Sequence, residues 1–374
     1  MRKTWIKLLF GIGIAATAAN LGLYLEWVKY VAVVVFLVLF IIAIINSRLK
    51  SIPNIFKLWL VVIIMAIPTC LFHSGNIEQV FQTSIPLMIA FSSTYLFHLD
   101  EKQFLKWFLP LSFFISYCAV SSVIKGVGSF TIADSYIYGV AKNQICPFFA
   151  IVSAISFSLA LQPQIKIFTR LYLSFTTLIC ICPSICLLNR TSIIAFVLVA
   201  FLVVYARKGL KGIIAFSLIL SIILIISGSS IINVLYDSII GQRDASDLNS
   251  LTSGRVSMNR EAMNYIADHI LWGEVGTNHR LDFDPHLYLL NIGVRFGLIT
   301  GLPFYILYIS IIWLFIKAFK NKDLLCIAVL LIALLESLSE YASPFGPGTT
   351  YVFCYIIVGV FIYRNHYKYR NFPY

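Results

Sequence analysis

Two arginines stand where a cation is costly, and each is a candidate ligand for an anion. Arg190 lies in a short polar stretch, 189–192, between two apolar runs, so we expect its guanidinium at or below a membrane surface. An arginine within the apolar layer costs about 2.5–3.5 kcal/mol on insertion scales, which favours a functional role. The alternative is that the side chain reaches back to the lipid headgroups.

Arg255 stands at the start of a predicted amphipathic helix, where a cation opposes the helix dipole. The backbone N–H groups of a first helical turn have no intrahelical partner, and together with a guanidinium they form a corner that suits an anion. Arg255 is therefore the second candidate anion ligand. The alternative is a surface arginine paired with Asp247 or Glu261.

His286 and a pair of glutamates are candidates for proton transfer or for binding hydroxyl groups. His286 follows Pro285 at the start of a predicted helix, where the dipole favours the neutral imidazole that a general base needs. A histidine that only caps this helix is the alternative. Glu336 and Glu340 share one face of a predicted helix and could bind sugar hydroxyls or pair with an arginine.

The sequence lacks the motifs of several other kinds of chemistry. It contains no P-loop, GxSxG or HExxH pattern, so we do not expect ATP hydrolysis within this chain. The eight cysteines lie in apolar segments without histidine or carboxylate ligands nearby, so we expect neither a disulfide framework nor a metal site. No cofactor is expected.

The composition dictates the elements that position these residues. Hydrophobic residues make up 60% of the chain and charged residues only 12%, against about 45–50% and about 25% in soluble domains. This excludes a soluble enzyme, a disordered chain and a secreted disulfide scaffold. At about 20 residues per crossing, the chain suffices for about a dozen transmembrane helices. The apolar segments predict them at 5–25, 27–45, 55–73, 79–97, 104–124, 144–161, 168–188, 192–206, 212–232, 287–316, 323–341 and 350–363.

The charges orient these helices in the membrane. Most of the 28 basic residues fall on the side that alternation assigns to the cytoplasm, and most of the 16 acidic residues fall on the other side. We therefore predict twelve spans with both termini in the cytoplasm. The net charge of +12 follows from this asymmetry, so nucleic acid is not an expected partner. The basic N-terminus resembles a signal peptide, but its apolar run is long, and we expect an uncleaved first helix.

One long polar segment, 233–286, interrupts the pattern, and the predicted topology makes it a large loop on the outer side of the membrane. Loops of this length are usually functional or disordered. Within it, residues 253–270 predict an amphipathic helix, and its apolar side consists of Ala262, Met263, Ile266, Ala267 and Ile270. The chain is thus predicted as a single integral membrane domain, 1–374, whose chemistry lies in this loop and at the outer helix ends.

Several short motifs on one predicted side resemble the O-antigen ligase/polymerase superfamily. The Asn-Arg-Thr-Ser stretch 189–192 is similar to the small-Arg-Thr element of that superfamily. The segments 253–255, 272–276 and 286–301, with their arginine, histidine and glycines, are similar to its signature loop. The Lys-Asn-Gln stretch 142–144 resembles an element of the polymerases. The resemblance covers about 140–345, and it is carried by the order of the motifs and by their common side.

The resemblance implies an all-α polytopic membrane protein of about 12 transmembrane helices with a GT-C-like architecture, located in the bacterial inner membrane with a periplasmic active site. The implied activity is that of a metal-independent glycosyltransferase, an O-antigen polymerase or a capsular or exopolysaccharide polymerase. It would transfer the growing glycan from undecaprenyl pyrophosphate onto the nonreducing end of a new lipid-linked repeat unit. The implied partners are undecaprenyl-pyrophosphate-linked oligosaccharide, membrane lipid, a chain-length regulator and a flippase.

The resemblance also implies roles for individual residues. Guanidinium groups match phosphate oxygens bidentately and would replace a metal ion at the leaving pyrophosphate. Those that would do so are Arg190, Arg255, Arg280 and Arg260. His286 would accept the proton of the acceptor hydroxyl, or orient that hydroxyl. Those that would bind sugar are Glu336, Glu340 and Lys142.

Two other activities stay open. A ligase of the same superfamily transfers finished glycan to the lipid A core, but it has asparagine after the histidine, where this chain has Leu287. A lipid-linked oligosaccharide flippase, or another transporter, should show a repeat between its halves and charges lining a central cavity. The sequence shows no internal repeat, and its charges gather in one outer loop, which favours the enzyme.

Overall fold

The computed structural model is helical and describes the helices together with some of the connections between them. The residues described are 2–47, 52–72, 77–97, 101–126, 136–137, 140–226, 254–274, 281, 283, 285–340, 344–346 and 348–367. The helices are α1 (Arg2–Leu23), α2 (Val28–Asn46), α3 (Asn54–Phe72), α4 (Ile77–Leu96), α5 (Glu101–Gly126), α6 (Lys142–Ala160), α7 (Ile167–Cys186), α8 (Arg190–Ile226), α9 (Arg255–Asp268), α10 (Tyr288–Thr300), α11 (Leu302–Lys320), α12 (Leu324–Glu336) and α13 (Val352–Tyr367). A short antiparallel hairpin of β1 (Tyr136–Ile137) and β2 (Val140–Ala141) leads directly into α6.

Eight of the described helices are long and apolar enough to cross a membrane, namely α1, α2, α3, α5, α6, α7, α8 and α11. The helices α10, α12 and α13 are apolar but shorter. Each predicted apolar segment coincides with helical residues, as an all-α polytopic membrane protein requires. The long helix α8 has a break at Gly209, whose φ is 65° and ψ −159°, and the predicted spans 192–206 and 212–232 fall on either side of it.

Close approach between the helices depends on small residues. A Cβ atom on Gly359 of α13 would overlap Ser93 of α4, and Thr94 Oγ1 donates to the Gly359 carbonyl at 2.9 Å. A Cβ atom on Gly22 of α1 would likewise overlap the backbone of Cys118 in α5. Within a membrane such contacts hold helices together by van der Waals packing and short polar links. The helix α6 lies at the centre of this bundle, with most of its side chains buried.

The tenth predicted span, 287–316, is two antiparallel helices instead of one. The rings of Phe296 and Phe304 stack at 4.8 Å, and those of Tyr288 and Tyr308 stack at 5.5 Å, so α10 and α11 run in opposite directions. The prediction was wrong because the apolar pattern continues through the glycine-rich turn between them. The first residue of α10, Tyr288, therefore lies beside the second turn of α11. This turn is about 9 Å along the helix axis from Leu302, the first residue of α11.

The chain segment that follows α9 fills the backbone break in α10. Gly297 has φ 72° and ψ 179°, which interrupts the helical hydrogen bonds. The freed Leu298 N–H donates to the Ile270 carbonyl at 2.8 Å, and Glu274 N–H donates to the Val294 carbonyl at 2.9 Å. These bonds satisfy backbone groups that a broken helix would otherwise leave unpaired. The turn after α9 and the broken helix α10 therefore form one unit.

The helix α9 is shorter than predicted and presents a different face to the core. Its buried residues are Ala262 and Ile266, which pack against Val294 of α10. Three residues of the predicted apolar side are exposed, namely Met263, Ala267 and Ile270. The buried face differs from the predicted one because α9 packs against α10. The position of α10 could not be predicted from the hydrophobic pattern of α9.

Candidate functional site

Polar side chains from five segments meet at one end of the helix bundle, which we call the polar end. Asn189 Nδ2 donates to Asn143 Oδ1 at 3.1 Å and joins the α7–α8 turn to the start of α6. Arg255 Nη2 lies 3.7 Å from Glu340 Oε1 and joins the start of α9 to the segment after α12. The start of α10 reaches the same place. The five segments are far apart in sequence, so the fold alone brings them together.

Asn189 caps α8 and thereby fixes the position of Arg190. The Asn189 Oδ1 atom accepts a hydrogen bond from Ser192 N–H at 3.0 Å, the geometry that makes asparagine a favoured N-cap residue. Leu188 before it has a positive φ of 56°, which turns the chain sharply out of α7. Arg190 is the first residue of α8 and is half-buried. The capped turn explains why the arginine stays at the helix end.

Glu336 is fully buried at the last residue of α12. Its Oε1 accepts a hydrogen bond from Ser192 Oγ at 2.5 Å, while Oε2 has no hydrogen-bond partner among the described residues. Within the described ranges it is the one charged residue in the buried class. A buried carboxyl group with one unpaired oxygen is costly to the fold, so Glu336 is a candidate functional residue.

Glu340 is the partner of Arg255. Asn143 and Lys142 are both near enough to act on its carboxylate. Of the two roles considered for the glutamates, Glu340 shows the pairing with an arginine and Glu336 does not, and sugar binding stays a prediction. Arg255 therefore pairs across the fold; Glu261, considered as its partner, is exposed on α9.

These contacts form one connected set, which we call the carboxylate network: Asn143, Asn189, Ser192, Arg255, Glu336 and Glu340. Asn189 donates from one end of its side-chain amide to Asn143 and accepts at the other end from Ser192 N–H. The set therefore links α6, α8, α9 and the end of α12. Such connected polar groups rigidify a site when they are satisfied. Two cations, Lys142 and Arg190, begin α6 and α8 beside this network.

His286 lies just before α10 and close to the network. The helix begins one residue later than the predicted span, because Leu287 is extended with φ −86° and ψ 117°. Tyr288 N–H then donates to the Ser337 carbonyl at 3.0 Å, directly after Glu336. The His286 side chain is half-buried. His286 therefore lies at the level where α12 ends, about 9 Å along the helix axis from the start of α11.

Two of the predicted anion ligands are not brought into this set. Arg260 is exposed on α9, and five residues at about 100° each place it about 140° around the helix from Arg255. Arg280 and Asp247 lie outside the described residues. The polar end thus gathers Lys142, Arg190 and Arg255 as its cations.

Sequence reasoning missed the roles of Asn143, Asn189 and Ser192. Asn189 carried a readable signal, because asparagine directly before an apolar helix is a common N-cap. The links from Asn143 to Asn189 and from Ser192 to Glu336 join separate helices, and no local pattern announces them.

The chemistry available at the polar end is that of cations and carboxylates. Within the described part of the chain, no group of three or more His, Cys, Asp or Glu side chains is placed to hold a metal ion. Half-buried guanidinium groups suit an anion with several oxygens, such as a phosphate or a pyrophosphate. No family model matches the chain, and no curated protein matches it in sequence.

Proposed function

We propose that the chain is a membrane glycosyltransferase that polymerises lipid-linked glycan repeat units, as an O-antigen polymerase or a related polysaccharide polymerase of the bacterial inner membrane. The donor is a growing glycan on undecaprenyl pyrophosphate, and the acceptor is the nonreducing sugar of a new repeat unit. The observation that supports the proposal most directly is the convergence of Arg190 and Arg255 beside one network at the polar end.

The geometry of Arg255 suits a pyrophosphate ligand. Its side chain is 30% exposed, whereas that of Glu340 is only 12% exposed, so the carboxylate orients the guanidinium from the protein side. A guanidinium has five N–H donors, and one contact at 3.7 Å leaves others for a ligand. Arg190 adds a second cation in the first turn of α8, where the helix N–H groups also favour an anion.

The reaction that follows is a displacement at the anomeric carbon. The acceptor hydroxyl oxygen forms a bond to that carbon while the bond from carbon to the pyrophosphate oxygen breaks, and the bonding electrons stay on the leaving phosphate. Arg190 and Arg255 stabilise the negative charge that develops there. His286 accepts the proton of the attacking hydroxyl.

The distribution of charge supports an enzyme over a transporter. A transporter for a charged lipid-linked glycan would need ionisable groups along a path through the bundle. Within the described ranges, the buried polar residues other than Glu336 are serines, threonines and asparagines. Most charged groups of these ranges instead lie near helix ends or beside the break in α8, and Arg295 inside α10 is an exception.

The proposal is tested with Arg190→Ala and Arg255→Ala in a strain that lacks the chromosomal gene. Loss of a group that stabilises transition-state charge lowers turnover by about 10²-fold or more, so long-chain glycan should disappear while the protein remains in the membrane. The matched control is Arg207→Ala on the same helix α8, because Arg207 lines a cavity of about 240 Å³ at the opposite end. Near-normal polymer from both variants would exclude the pyrophosphate role.

A further inference from the structure

The helix α9 carries an apolar stripe that faces outward. Val256 is 36% exposed and Met263 53%, and Ala267 is also exposed. At about 100° per residue these three positions fall within about 40° of one another on the helix surface. Ile270, directly after the helix, is 48% exposed. Soluble surfaces rarely group large apolar side chains in this way. The stripe therefore needs a partner.

The stripe continues beyond α9 into a larger surface. Backbone hydrogen bonds from Leu298 to Ile270 and from Thr300 to Leu271 hold the turn after α9 against the end of α10. Each large apolar side chain there is between 46% and 57% exposed. We call this surface the apolar patch: Met263, Ile270, Leu271, Trp272, Leu298 and Ile299.

The patch adjoins helices that are long and apolar enough to cross a membrane. Leu302, the first residue of α11, is 50% exposed and follows the patch directly. Thr69 near the end of α3 donates from Oγ1 to the Thr300 carbonyl at 3.3 Å. Both α3 and α11 are candidate membrane spans, and they expose apolar side chains along their lengths. The patch is therefore continuous with the surface that faces lipid.

Three faces of α9 match a position at the edge of a bilayer. Ala262 and Ile266 face α10, and the apolar stripe lies next to them. The opposite side is polar and exposed, with Glu261, Asn264 and Asp268. A helix with protein on one side, lipid on the second and water on the third needs this arrangement.

We propose that α9 and the turn after it lie at the membrane boundary, with the apolar patch inserted among the lipids of the leaflet that covers the polar end. The partners of α9 on α10 lie beside the first two turns of α11, a candidate membrane span. Interfacial helices bury their apolar faces by about 5–10 Å, which corresponds to the first turns of such a span. Trp272 suits this layer because its ring is amphipathic. The lipid contact holds Arg255 at the membrane surface, and this inference does not depend on glycan transfer.

Spin-label accessibility tests the insertion. Met263→Cys is labelled in a background without the native cysteines and reconstituted in phosphatidylethanolamine and phosphatidylglycerol vesicles without substrate. Oxygen partitions into lipid, whereas a nickel chelate stays in water, so their relaxation effects report depth. The controls are Asn264→Cys on the polar face of α9 and Ile309→Cys on α11, where Ile309 is 61% exposed.

The depth parameter compares the relaxation effect of oxygen with that of the nickel chelate. We expect its value at position 263 to shift from the value at 264 toward the value at 309. A value equal to that at 264 would overturn the proposal, because the stripe would then face water. An immobilised label that neither reagent reaches would also overturn it, because a protein partner would then cover the stripe. Brominated lipids provide a second measurement on the native chain, since their quenching should decrease in Trp272→Phe. Unchanged quenching would count against insertion of the turn.

Discussion

The ion pair between Arg255 and Glu340 offers the sharpest test of the carboxylate network. The change is Glu340→Gln, which removes the charge but keeps the shape and an oxygen that can accept from Asn143. Arg255→Gln removes the other charge, and the double variant completes a thermodynamic cycle. Because the two side chains come from α9 and from the segment after α12, their coupling reports directly on how the outer segment docks.

The expected magnitude follows from the distance and the exposure. Two unit charges 3.7 Å apart attract by about 4 kcal/mol at an effective dielectric constant of about 20. Desolvation offsets part of this attraction because the side chains are only 30% and 12% exposed. Exposed pairs contribute about 0.2–1 kcal/mol, so this less exposed pair should couple by about 1–2 kcal/mol.

The assay is reversible unfolding of the purified protein in mixed micelles of mild detergent and dodecyl sulfate. Each single variant should lose about 1–2 kcal/mol of unfolding free energy, and the double variant should lose little more than either one. The matched control pairs Arg255→Gln with Glu261→Gln, which removes an exposed carboxylate from α9 itself. That pair should be additive within about 0.5 kcal/mol. Additivity for Glu340, or coupling to Glu261, would refute the pairing.

Two further predictions concern the glycine turn and the buried carboxylate. Gly273→Ala should release the turn after α9 and speed proteolysis there, because φ at this position is +62° and a Cβ atom would overlap the backbone of α10. The control is Gly254→Ala, where φ is +80° but a Cβ atom would meet open space. It should show only the strain of a positive φ, about 1–2 kcal/mol. Equal proteolysis of both would contradict the docking. Ser192→Ala should cost about 1–3 kcal/mol in unfolding free energy because Glu336 loses its hydroxyl donor. The control is Ser156→Ala, which should not lower the unfolding free energy through a lost hydrogen bond, because the buried Ser156 hydroxyl has no hydrogen-bond partner. Equal losses in the two variants would contradict the hydrogen bond from Ser192 to Glu336.

The sequence predicted the positions of the helices well because a run of apolar residues is a strong and local signal. It also predicted that Arg255 stands at a helix start, which it does, whereas Arg190, expected in the short stretch between two spans, is the first residue of α8. The reversal between α10 and α11 was missed because hydropathy does not change at Gly297 or Gly301. Apolar residues on both sides of a turn give the same pattern as one long span.

The site was less predictable than the fold because its contacts join distant segments. The partner of Arg255 is 85 positions away in Glu340, and neither residue carries a local sign of the other. The face of α9 that packs on the core was also hidden, since two apolar arcs lie side by side on that helix. One arc contacts α10, and only the position of α10 decides which.

The central claim, that the chain polymerises lipid-linked repeat units, is tested most directly by a gel of surface glycan from a strain in which its gene is deleted. We predict lipid A core carrying a single repeat unit, with the long-chain ladder restored by the wild-type chain. Bare core together with lipid-linked polymer would instead identify a ligase. Absence of any exported repeat unit would identify a flippase, and either result would contradict the account.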